Sequence, residues 1–169
     1  MSQPKKRTWL NIINLLLCIV LLLFHYNSFV SIRIGNANPM IPLAFLISVC
    51  FFCSETTSCL AGLSIGLFID STAATKGFFN TVAFFLIAFA VSLTVRYLFN
   101  NNIRACAVIS AIASVLYFIA RWLFTYAFFG ALGDTLQYIF AYAFPSAIYT
   151  IAITIPLYYL QKFLFARLG

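Results

Sequence analysis

Apolar runs broken by short polar clusters follow one another along the whole chain, and their spacing predicts its elements. The first run extends over 9–30 and gives way to a polar stretch with Arg33 and the turn formers Gly35, Asn36 and Asn38, ending at Pro39. Two shorter runs, 39–53 and 56–70, flank the polar cluster around Glu55. After the loop residues 71–77, which include Lys76 and Gly77, come runs over 80–99, 103–126 and 136–160, separated by the Asn100–Asn102 cluster and by Gly130–Asp134. Pro145 and Pro156 interrupt the last run, where proline kinks a membrane helix without ending it. Apolar runs of about 20 residues suit a helix crossing a hydrocarbon core about 30 Å thick. The pattern predicts an all-α integral membrane protein of six transmembrane helices. The second and third runs are short for full spans and fit either two short helices in a locally thin bilayer or a re-entrant hairpin. Two spans is the reading taken.

Within the third run, Ser58, Gly62, Gly66 and Asp70 recur at every fourth position and so share one helix face. That face is a groove without bulk that ends in a carboxylate. Small residues let helix backbones approach closely in lipid, where no hydrophobic drive pushes helices together. The groove is therefore a packing face, for another helix of this chain or for a partner.

Composition agrees with the pattern: 64% of residues are hydrophobic and 8% charged, with a mean hydropathy of +1.03. No segment is long enough to fold as a separate soluble domain, so residues 1–169 form a single domain. The net charge of +7 is spread over short loops, which argues against a nucleic-acid footprint. Sorted by side, Lys5, Lys6, Arg7, Arg96, Arg104, Lys162 and Arg167 fall on one face of the membrane, and Arg33 and Lys76 on the other. The positive-inside rule then puts both termini in the cytoplasm. The basic N-terminus resembles the start of a signal peptide, but its apolar run is too long for that and stays as the first helix. His25 falls near the far interface, where a polar tip is at home.

Candidate chemistry is sparse. Cys18, Cys50, Cys53, Cys59 and Cys106 all lie in or at the ends of apolar runs, an odd number that makes no disulfide framework, and Cys50 and Cys53 lack further soft ligands for a metal. One histidine and three acids, Glu55, Asp70 and Asp134, supply no nucleophile with a base, no paired metal ligands and no phosphate loop. The sequence thus points away from an enzyme, and no cofactor is expected. Arg121 lies inside the fifth run, where a charge is costly unless it pairs or snorkels. Asp70 closes the third helix at the same level, so an Asp70–Arg121 pair is expected, with Asp134 competing for Arg121 and Lys76 for Asp70, and snorkelling to headgroups as the other outcome.

Gly62, then Gly66 with Leu67, then Asp70, Gly77 and Asn80, together with a proline at 39 or 42 near the start of the second helix, resemble the pattern of the MreD family of rod shape-determining membrane proteins. The motif covers about 20 residues; in hydropathy the likeness covers most of the chain. The resemblance implies a six-helix bundle of the MreD or energy-coupling-factor S-component type in the bacterial cytoplasmic membrane. It implies a non-catalytic, multi-pass scaffold of the cell-elongation machinery, beside an MreC-like bitopic protein, a RodA-type glycosyltransferase with its transpeptidase, and the MreB filament. On this reading Ser58, Gly62, Gly66, Asp70, Gly77 and Asn80 form a partner or helix-packing face, and the groove accepts the single helix of an MreC-like partner with Asp70 fixing its depth. The alternative is the substrate-binding S component of an energy-coupling-factor vitamin transporter. Those proteins dock their transporter core through an Ala-x-x-x-Ala stripe on the first helix, and the bulky Leu and Ile of residues 10–24 do not fit it.

Overall fold

The computed structural model describes residues 3–26, 39–72, 77–98, 102–129 and 143–168. These residues form six helices and no strand: α1 (Gln3–Tyr26), α2 (Ile41–Phe52), α3 (Glu55–Thr72), α4 (Phe79–Leu98), α5 (Ile103–Phe129) and α6 (Phe144–Leu168). Arg33, Lys76 and Asp134 lie outside the described residues, and of the expected loop 71–77, Ser71 and Thr72 belong to α3 instead, Gly77 is described and 73–76 are not.

The elements follow the apolar runs, with shifted ends. Helix α1 begins at Gln3, ahead of the expected start at residue 9, because Pro4 suits the first turn of a helix, where its missing N–H is not needed. The last helix differs most. It is described over Phe144–Leu168 and so continues past the expected end at 160, while residues 136–142 of the expected run lie outside the described residues. Pro156 alone lies inside it.

Helix α2 is the centre of the bundle. Every residue from Pro42 to Phe51 is buried, as expected of a helix that is hydrophobic all round. Five helices surround it, with α6 making the most extensive contact. Its start is fixed by the Met40 backbone N–H, which donates to Thr150 Oγ1 of α6 at 3.1 Å. Its end is held by Phe52, whose ring lies 5.1 Å from Tyr158 and 5.6 Å from Phe165. So α2 runs in the same direction as α6. With 12 residues it is about 18 Å long, too short for the hydrocarbon core.

Other bonds set the direction of the remaining helices. Arg96 of α4 reaches Glu55 of α3 at 2.8 Å, so the two helices are antiparallel. Ser110 of α5 bonds Thr154 of α6 at 2.9 Å, and Gln161 of α6 donates to Asn14 of α1 at 2.7 Å. The six described helices thus alternate in direction, and Arg96, Arg104, Lys162, Arg167 and the start of α1 all fall at one end.

Three of these helices are long and apolar enough to cross a membrane, over Phe79–Tyr97, Ile103–Thr125 and Phe144–Arg167. Leu10–His25 and Ile41–Phe52 are shorter apolar helices, and α3 belongs to neither group. Helix count thus agrees with the expectation, whereas the number of full-length spans among the described residues is half of it.

Candidate functional site at the Asp70 corner

The corner between α3 and α4 is assembled from the end of one helix and the start of the next. Helix α3 ends at Thr72, and the hydroxyls of its last two residues bond back to its last turns: Ser71 Oγ donates to the Phe68 carbonyl at 2.8 Å and Thr72 Oγ1 to the same carbonyl at 2.9 Å. Beyond the intervening residues, Gly77 has φ +141°, a backbone conformation that side-chain-bearing residues rarely adopt. The chain can then enter α4 at Phe79, whose ring stacks on Phe124 of α5 with centroids 4.7 Å apart.

The first N–H groups of a helix have no partner inside it. Asp70 provides one from across the corner. Its Oδ1 accepts from the Asn80 backbone N–H at 3.2 Å and from Asn80 Nδ2 at 2.8 Å; its Oδ2 accepts from the Thr81 backbone N–H at 2.7 Å and from Thr81 Oγ1 at 2.6 Å. The carboxylate is an N-cap supplied by another helix, with its negative charge at the positive end of the α4 dipole. It is 9% exposed. Asn80 passes the network on: its Oδ1 accepts from the Tyr117 hydroxyl of α5 at 2.8 Å. Tyr117 is itself buried, its ring edge-on to Phe84 at 5.5 Å.

The glycine face brings the two helices close enough for these bonds. A Cβ on Gly66 would stand 2.8 Å from both the Asn80 carbonyl oxygen and the Thr81 nitrogen, and one on Gly62 would stand 2.8 Å from the Phe84 carbonyl oxygen. Backbone therefore touches backbone along α3 and α4, with Ser58 fully buried on the same face. Ser58, Gly62, Gly66, Asp70 and Asn80 thus lie together on one seam, and Gly77 turns the chain at its end. The seam is filled by α4 of the same chain, so docking of a partner's helix in this groove does not fit the arrangement.

Arg121 is not brought to Asp70. It is exposed on α5, within electrostatic reach of His25 near the end of α1, and among the described residues the salt bridge is Arg96–Glu55. The physical reason is the capping just described: both carboxylate oxygens already accept two hydrogen bonds each from α4. Glu55, at the start of α3, is the acid that pairs.

Chemically, Asp70 is a structural acceptor. An open groove lies beside it, lined by Ser64, Leu67, Phe68, Ser71, Gly77 and Phe78. Ser64 and Ser71 bond back to α3 carbonyls, which leaves that groove apolar in character. Among the described residues, no three His, Cys, Asp or Glu side chains gather as a metal site requires.

Several polar contacts have weak or no signals in the sequence pattern. Thr81 and Tyr117 complete the Asp70 network, and Thr81 follows Asn80 at a helix start, where both residue types favour capping. Asn14 and Gln161 are lone amides in apolar runs, a better signal that each needs a partner in another helix. No family profile, no curated protein sequence and no solved structure matches this chain.

Proposed function

We propose that this chain is an integral protein of the bacterial cytoplasmic membrane, with both termini in the cytoplasm, and that it serves as a non-catalytic scaffold of the cell-elongation machinery resembling MreD. Three helices of sufficient length and apolar character support the membrane reading. The clustering of Arg96, Arg104, Lys162 and Arg167 at one end supports the orientation, since cytoplasmic ends carry the excess of Lys and Arg.

One observation carries the family reading. Gly62, Gly66, Asp70, Gly77 and Asn80, the residues that resemble the MreD pattern, meet at a single corner, where each has its own physical task. Two glycines allow contact, one turns the chain, and the acid caps the helix that the asparagine begins. In this reading the motif maintains the fold, and an MreC-like bitopic partner meets the bundle on the outward faces, for example along Leu60 and Leu67 of α3, both of which are exposed. Wall synthases of the RodA type with their transpeptidase join the same assembly, and the MreB filament is reached through the cytoplasmic end.

The test is a mild-detergent pull-down of the full chain from its native bacterium, with mass spectrometry of the proteins that co-elute. An MreC-like bitopic protein together with wall synthases is the expected result. Recovery of paired ATPases with a membrane coupling protein would overturn it in favour of a vitamin-transporter subunit.

A further inference from the structure

The cations at the basic end stand at registers that the interhelical bonds define. Arg96 lies in the last turn of α4, Arg104 is the second residue of α5, and Lys162 and Arg167 lie in the last two turns of α6. The Ser110–Thr154 bond relates antiparallel α5 and α6. Six residues back from Ser110 is Arg104 and six beyond Thr154 is Leu160, so Arg104 and Lys162 stand at nearly one level. The Asn14–Gln161 bond does the same for α1, whose residues 3–13 run on past that level for about 16 Å and include Lys5, Lys6 and Arg7. The acid described at this end is Glu55, and Arg96 takes it at 2.8 Å. Arg104, Lys162 and Arg167 are exposed and form no salt bridge among the described residues.

The surroundings of these charges decide what covers them. Exposed rings alternate with the cations: Tyr97 beside Arg96 is 77% exposed, and Tyr159 and Phe163 on either side of Lys162 are 55% and 53% exposed. The Arg167 guanidinium lies over the Phe163 ring, 4.7 Å from its centroid. Amphipathic rings and snorkelling cations at the ends of apolar helices form the belt that sits at headgroup level. An acidic protein would need a polar platform to dock on, and these charges stand directly on apolar helices.

We infer that this end of the bundle binds the phosphates of anionic lipid headgroups through Arg104, Lys162 and Arg167, so that the chain selects anionic over zwitterionic lipid. The inference rests on the membrane reading above and is independent of the scaffold role. Each Lys or Arg near a membrane surface favours anionic lipid by about fivefold.

The experiment reconstitutes the full chain into nanodiscs of equal phosphatidylglycerol and phosphatidylcholine and reads the lipids that stay bound by native mass spectrometry. Phosphatidylglycerol is expected to be enriched several-fold, less so as salt rises, because the charges are exposed. The triple variant Arg104→Gln, Lys162→Gln, Arg167→Gln should bring the bound lipid back close to the equal ratio of the disc, while Arg121→Gln, at the opposite end, should retain the enrichment. No enrichment in the native chain, or enrichment that survives the triple change, overturns the inference. So does stabilisation by inorganic phosphate equal to that by the lipid, which would assign the cations to a free anion. Binding of a glutamate-rich peptide in pure phosphatidylcholine discs, with no lipid selection, would assign them to an acidic protein instead. A chain that enters neither disc overturns the membrane reading together with this one, whereas one that inserts without selecting lipid overturns this one alone.

Discussion

Replacing Asp70 with alanine removes the acceptor of four hydrogen bonds, two of them from backbone N–H groups of α4 that have no other partner. Two estimates of the cost disagree. Hydrogen bonds to charged groups in soluble proteins contribute about 1.5–3 kcal/mol each, and four would approach the whole stability of a typical domain, about 5–15 kcal/mol. Interhelical bonds inside membranes average about 0.6 kcal/mol, because helices separated in lipid still find polar partners. On the membrane reading proposed above the second figure applies, since the Asn80 amide and the Thr81 hydroxyl can turn elsewhere and only the two backbone groups are stranded. Four such bonds come to about 2.4 kcal/mol, and the charge at the helix start adds about 0.3–1 kcal/mol. A loss of about 2–4 kcal/mol is expected for Asp70→Ala, and roughly half of that for Asp70→Asn, which keeps the shape and one acceptor oxygen. Reversible unfolding in mixed micelles, titrated with a denaturing detergent and followed by tryptophan fluorescence, measures both. If both variants unfold within about 0.5 kcal/mol of the native chain, less than one average bond, the carboxylate does not hold α4 and the reasoning about the corner is refuted.

The same assay checks three further expectations. Gly66→Ala forces a methyl against the backbone of Asn80 and Thr81 and should cost about 1–3 kcal/mol, more than Gly62→Ala, where one of the close neighbours is the Ala88 methyl. Tyr117→Phe deletes the donor to Asn80 while leaving the ring packed against Phe84, so a loss of about 0.5–1.5 kcal/mol is expected, and a double-mutant cycle with Asp70→Asn should show the two coupled. Arg96→Gln breaks an exposed pair, 64% and 33% exposed on its two sides, and should change stability by less than about 1 kcal/mol, with the difference vanishing at high salt.

What could be read from the residues depended on the range of the interaction. Periodicity and run length located six helices, because both are properties of consecutive residues. The four-residue spacing of Ser58, Gly62, Gly66 and Asp70 likewise identified a close-packing face, since side chains on one helix are placed by spacing alone. The identity of the helix that fills the face depends on tertiary arrangement. Spacing could not say that α4, and not a second chain, lies there. Asp70 was matched to Arg121 on charge and depth, and capping prevailed because two backbone N–H groups at a helix start need an acceptor, while an exposed arginine is served by solvent or headgroups.

The burial of α2 has a consequence for the order in which the protein can be made. Translation delivers α2 second, yet the groups that anchor it, Thr150 for its first turn and Tyr158 and Phe165 for its last residue, belong to the helix delivered last. A 12-residue helix cannot rest across the bilayer by itself while it waits. In the membrane setting proposed above, the nascent chain has to shelter this segment, in the insertion machinery or against α1, until α6 emerges. The ends of α2 are covered only once α6 is present, and a chain stopped before residue 150 would lack both of these contacts.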